Sequence, residues 1–210
     1  MKRAIRAEDL YKFKEIGGFD LSNDGSKCIY SVSRTDRKTL KKYSDLFLKE
    51  LPSGKTKKFT SGKYVDSDAK FSPCGKTIAF LSNRENEKIP QLYFIDVDGG
   101  EAKKVTDIKG SILEYEWSPD GSRIVLTVQL FDPETIQLIE DPKKKELGIR
   151  VRHIKRVLFK MDAMGYRQKE RMHLWVLESK SGKLEQLTFG DIPDESSPAW
   201  SPDGKKIAYI

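Results

Sequence analysis

The chain has 210 residues, 37% of them hydrophobic and 34% charged, with a formal net charge of +7. That length and composition support a packed core of one or two domains and argue against disorder. No run of 18 apolar residues offers a membrane span, and the opening MKRAIRAEDLYKFKEI lacks the apolar centre of a secretory signal, so a cytoplasmic location is expected.

Residues 7–16, AEDLYKFKEI, read as a short amphipathic helix with Asp9 near its start, Leu10 and Phe13 on one face, and Gly17 and Gly18 as stop signals. A lone amphipathic helix of this length is marginal in water and is expected to dock.

From residue 18 a pattern recurs. Four turns end in glycine: Ser22–Gly25 (SNDG), Ser72–Gly75 (SPCG), Ser118–Gly121 (SPDG) and Ser201–Gly204 (SPDG). Each precedes a strand-like run: CIYSV, TIAFLS, RIVLTV and KIAYI. Proline sets φ for the first central position of a type I turn, and glycine takes the left-handed conformation that closes a three-residue hairpin loop. Four hairpins are predicted.

A second glycine turn follows at Gly54, Gly99 and Gly182, and a short strand then ends in Thr60, Thr106 and Thr188. The steps from second-turn glycine to threonine are 6, 7 and 6 residues, and from threonine to the next first-turn glycine 15, 15 and 16. The variation sits between first and second turns, at 29, 24 and 61 residues. One connection therefore absorbs insertions while four strands per unit keep their geometry.

Four-stranded meanders at this period predict an all-β fold, a partial β-propeller of about three and a half four-stranded antiparallel blades with a short N-terminal helix. The predicted organisation is a helical extension over 1–17 and a propeller fragment over 18–210. Its blades cover about 18–60, 61–106 and 107–190, with an insertion over 130–170, and a half-blade covers 191–210. Trp117 and Trp200, with Phe71 and Phe19 in comparable slots, are expected to pack between blades. A half-blade ending at Ile210 would carry an open edge, so the chain is read as part of a longer protein.

The insertion begins with Pro133, Pro142 and the run Lys143–Lys145, which predicts a loop with at most a helical turn or two. Its second half predicts strand, turn at Asp162–Gly165, strand. An interaction role on one rim is open to it.

Residues 1–60 hold 15 Lys and Arg against 8 acids, and residues 140–171 hold 11 against 5. The basic residues alternate with acids, without a recognition helix or aromatic stacking motif, so the reading is a solvated lysine-rich surface rather than a nucleic-acid site. Neutralising Lys143–Lys145 and Arg150–Arg156 is the test of the other reading. Cys28 and Cys74 form no CxxC motif, and His153 and His173 have no neighbouring ligands at metal spacing, so no metal, cofactor or disulfide framework is expected.

The run FKMDAMGYRQKERMHLWVLESKSGKLEQLTFGDIPDESSPAWSPDGKKIAYI, together with AEDLYKFKEI, resembles the N-terminal propeller of acylaminoacyl peptidase-type members of the prolyl oligopeptidase family of serine peptidases. The SPDG repeats alone fit TolB-like propellers, and the segment Lys160–Tyr166 followed by HLWVLE narrows the choice. The resemblance implies a seven-bladed propeller followed by a C-terminal α/β-hydrolase domain with Ser, Asp and His. It further implies an N-terminal helix packed on that domain, and a propeller that restricts access to short or N-acylated peptides. The nucleophile elbow G-x-S-x-G is absent from the 210 residues, so no catalytic residue is assigned here. A TolB-like module that docks a protein partner is the alternative.

Overall fold

A computed structural model describes residues 3–147, 160–161, 165–166, 171–190 and 194–210. It divides into two compact units, Met1–Asp107 and Ile108–Ile210.

In the first unit, β1 (Glu15–Leu21), β2 (Lys27–Thr35), β3 (Lys42–Glu50) and β4 (Thr56–Lys58) form an antiparallel meander. A second meander follows with β5 (Asp66–Phe71), β6 (Thr77–Ser82), β7 (Gln91–Asp96) and β8 (Lys103–Lys104). Their faces bury Ile29, Leu46 and Leu48 against Phe71, Ile78, Phe80, Tyr93 and Ile95. Removing this apolar surface from water is the main force holding the two sheets together. Burial also drives the Tyr93 phenol up to about 12.

In the second unit, β9 (Gly110–Trp117) and β10 (Arg123–Leu130) are followed by two helices, α1 (Pro133–Glu140) and α2 (Pro142–Leu147), and a small hairpin of β11 (Lys160–Met161) and β12 (Gly165–Tyr166). Then come β13 (Met172–Glu178) and β14 (Leu184–Gln186), and the four-stranded sheet runs β14-β13-β10-β9. The long connection thus leaves and re-enters one meander between its second and third strands. Despite it, β10 and β13 stay in register from Arg123↔Glu178 to Gln129↔Met172. Finally β15 (Ala199–Trp200) pairs with β16 (Ile207–Ala208).

Each first turn is held by its serine as much as by its glycine. Ser22, Ser72, Ser118 and Ser201 each accept from the glycine amide at 2.8 Å. Those bonds end on the serine carbonyls, while the serine hydroxyls accept from the backbone amides of Lys27, Thr77, Arg123 and Lys206 at 2.9–3.1 Å. In three turns the serine donates to an aspartate two residues on, at 2.6 Å to Asp24, Asp120 and Asp203. Gly25, Gly75, Gly121 and Gly204 have φ between 65° and 70°, the left-handed geometry a side chain would strain.

The threonines close each blade by one device. The hydroxyls of Thr60, Thr106 and Thr188 accept from the amides of Leu46, Leu92 and Leu174 at 3.0, 2.9 and 2.9 Å. The carbonyls of those leucines accept from Phe59, Val105 and Leu187 at 2.7–2.9 Å. The fourth strands are therefore pinned to the third at the end away from their glycine turn, which fixes the glycine-to-threonine interval.

The outer strands β4 and β8 are two or three residues long and lysine-rich, which protects the blade edges from pairing with other chains.

The N-terminal helix is shorter than predicted. Only Ala7–Lys12 are helical, as a 3-10 turn, and Gly17 and Gly18 do not stop it but sit in β1, across a bulge between Ile16 and Phe19. The bulge needs glycine, because a Cβ at Gly17 would collide with the Ser31 hydroxyl. In the insertion, both prolines start helices instead of breaking them, since a helix's first turn has no amide to lose. Asp132 caps α1 by accepting from the Thr135 amide at 2.7 Å. Residues 162–164 of the Asp162–Gly165 turn lie outside the described residues.

Candidate docking surface

At the start of the chain, Asp9 organises the segment before β1. Its carboxylate accepts from the Arg3 guanidinium at 2.7 and 2.5 Å, the Arg6 amide at 2.9 Å and Lys12 Nζ at 2.8 Å. The Arg3 hydrogen bonds above all hold its carboxyl well below the usual carboxylate range. The turn packs on β2 yet buries none of its own residues. Ile5, Leu10, Phe13, Ile16, Phe19 and Leu21 are all exposed. Six exposed apolar side chains thus fall within residues 5–21.

The same end of the first unit carries two ionic clusters, each built on a buried aspartate. Arg34 pairs with the buried Asp45, which also receives Lys58 at 2.9 Å, and donates to the Gly62 carbonyl at 2.7 Å. Arg84 pairs with Asp66, whose side chain is 1% exposed, at 3.2 Å, while Ser82 donates to the same carboxylate at 2.5 Å. The Arg84 guanidinium also lies 4.7 Å from the Tyr93 ring, 5.2 Å from Phe80 and 5.5 Å from Tyr64. Both arginines lie nine residues after their turn glycine, a regularity that sequence reasoning missed. Their donors are spent on protein acceptors, which marks them as supports of the blade ends.

In the second unit, the narrow β15–β16 sheet leaves part of the β13–β14 face uncovered. A cleft of about 590 Å³ results, lined by Leu174, Val176, Leu187, Trp200, Ile207 and Tyr209, with Arg123, Lys183, Glu178 and Glu185 around it. Trp200 is held there by donating to the Glu116 carbonyl at 3.2 Å and by the Arg123 guanidinium, 4.7 Å from its ring. Arg123 also donates to the Gly204 carbonyl at 2.6 Å.

Of the four aromatic residues expected to pack between blades, Phe71 and Trp117 are buried and Trp200 is half-buried. Phe19 is 71% exposed, because within the first unit β1 has a sheet neighbour on only one side of its blade. Cys28 is a half-buried thiol on β2, and Cys74 is an exposed thiol standing where the other first turns have aspartate. The Ser72 hydroxyl, 3.4 Å away, lowers the Cys74 thiol pKa.

His173 is not isolated. Its Nδ1 lies 2.8 Å from Glu195, which also accepts from Thr188 at 3.1 Å and so ties the last turn region to β13. Glu195 precedes its turn glycine by nine residues, as Asp66 does. His153 and Arg150–Arg156 lie outside the described residues, as does the interior of Lys160–Tyr166. The backbone of Lys143–Lys145 lies in α2, where Lys143 and Lys144 are exposed. Among the described residues, no group of three His, Cys, Asp or Glu side chains is placed to hold a metal, and no helix is long and apolar enough to cross a membrane.

The uncharacterized peptidase YuxL of Bacillus subtilis is 31% identical over 209 residues, all of this chain and 31% of that protein. Dipeptidyl-peptidase 5 of Porphyromonas endodontalis is 29% identical over 96% of this chain and 30% of its own length. The chain thus spans about a third of these relatives. Among solved structures, Pyrococcus horikoshii acylaminoacyl peptidase superposes with a TM-score of 0.71 at 21% identity, covering 95% of this chain and 28% of that one. Residues 13–146 match the model of the TolB β-propeller domain, PD40. Its repeated four-stranded meanders and this match make the chain a member of the TolB-type β-propeller (PD40) family.

Proposed function

We propose that this chain is the propeller portion of an acylaminoacyl peptidase-like serine peptidase of the prolyl oligopeptidase family, and that it gates access of short or N-acylated peptides to a hydrolase domain outside these 210 residues. The observation that carries this reading is the end-to-end match with a peptidase about three times as long. The blades are assigned to 18–60, 61–106 and 107–190, with 191–210 the first half of a fourth whose remaining strands would cover the cleft beside Trp200. The exposed segment around Leu10 and Phe13 is assigned to the face that meets the hydrolase domain.

A TolB-like interaction module is the second reading, favoured by the PD40 match over 13–146. Substrate size separates the two. The intact protein is expected to hydrolyse a chromogenic N-acetylated dipeptide and to leave casein uncut. Absence of hydrolysis would favour the interaction module, and equal cleavage of both substrates would refute gating.

A further inference from the structure

Three hairpin loops of the chain are built alike. In Asp36–Lys41 (DRKTLK), Glu50–Lys55 (ELPSGK) and Glu178–Lys183 (ESKSGK), the amide of the first residue donates to the carbonyl of the last at 2.9 Å. The amide of the fifth residue donates back to the first at 2.8–2.9 Å. A Ser or Thr hydroxyl in fourth position donates to the first residue's carboxylate at 2.7–2.9 Å. The fifth residue is left-handed in all three, with φ of 57° at Leu40, 68° at Gly54 and 73° at Gly182.

Two loops thus use glycine where left-handed geometry requires it, and the third uses leucine. That leucine is 67% exposed. It is unfavourable twice over, through backbone strain and through apolar surface left in water, and neither is offset inside the loop. Glu15, where β1 begins, pairs with Ser33 and forms an ion pair with Lys42, so Leu40 lies at the same end of the sheet as the segment carrying Leu10 and Phe13. Exposed Arg37 and Lys38 precede it within the loop.

We propose that Leu40 is the apolar anchor of a contact with a protein surface that offers an apolar socket rimmed by carboxylates, and that this surface belongs to the hydrolase domain of the intact peptidase. The inference rests on the function proposed above. The basic flanks disfavour a second copy of the same chain. A single leucine beside two cations offers too little apolar area to anchor on a lipid surface.

The test places Leu40→Gly and Leu40→Asp in both the 210-residue chain and the intact protein. In the chain alone both replacements relieve strain, and glycine should raise Tm by about 2–4 °C. In the intact protein the sign should reverse, with Tm falling and with aspartate, which meets the carboxylate rim, worse than glycine. A rise in both contexts would overturn the proposal. So would Leu40-dependent co-sedimentation of the chain with phosphatidylserine vesicles, which would assign the anchor to a membrane. Labelling of the intact protein by a serine-directed probe reports separately on whether the hydrolase domain is there.

Discussion

Thr106 illustrates how much of the blade rests on single side chains. Its buried hydroxyl accepts from the Leu92 amide at 2.9 Å and donates to Gln91 at 2.8 Å. Thr106→Val keeps the volume and takes the acceptor from the buried Leu92 amide, so urea unfolding should show a loss of about 1–3 kcal/mol, most of it restored by Thr106→Ser. Arg84→Met should cost about 3–5 kcal/mol by the same assay, because it leaves the Asp66 carboxylate buried without its cation. The turn aspartates predict a pH dependence. The Ser22 hydroxyl, joined by the Ser26 amide and hydroxyl, lowers the Asp24 pKa to about 2. Since the unfolded chain then takes up a proton first, this contribution is complete above about pH 4 and is lost as pH falls towards 2. Tm should drop over that window, and the Asp24→Asn variant should drop less steeply.

At the scale of elements, the strands and turns were legible because their spacing is dictated by local chemistry: serine and glycine in the first turn, glycine in the second, threonine at the closing strand. The Leu40 loop and the buried pairs Arg84–Asp66 and His173–Glu195 were not. Leucine hides a loop that glycine would have announced, and the partners of Arg84 and His173 lie 18 and 22 residues away in sequence. The N-terminal helix is shorter than its local pattern predicts because the bulge that places Gly17 beside Ser31 depends on β2, not on local propensity. The register between β10 and β13 predicts that the insertion is dispensable for folding. Replacing residues 133–170 with a short Gly-Ser linker should preserve the β-type circular dichroism spectrum and a cooperative melt. Loss of cooperativity would show that α1, held to Lys109 by Glu140, is part of the sheet's support.

At the scale of the whole molecule, the proposed propeller role brings together two findings, the four-stranded meanders and the similarity along the chain to peptidases about three times as long. On that proposal the exposed residues Leu10, Phe13 and Leu40 meet a neighbouring domain, and the lysine-rich outer strands are edges kept from pairing. Labelling with a fluorophosphonate serine probe tests this division of labour most directly. The account predicts that the 210-residue chain stays unlabelled while the intact protein is labelled on a serine beyond Ile210. Labelling of the chain itself, or of neither protein, would contradict it.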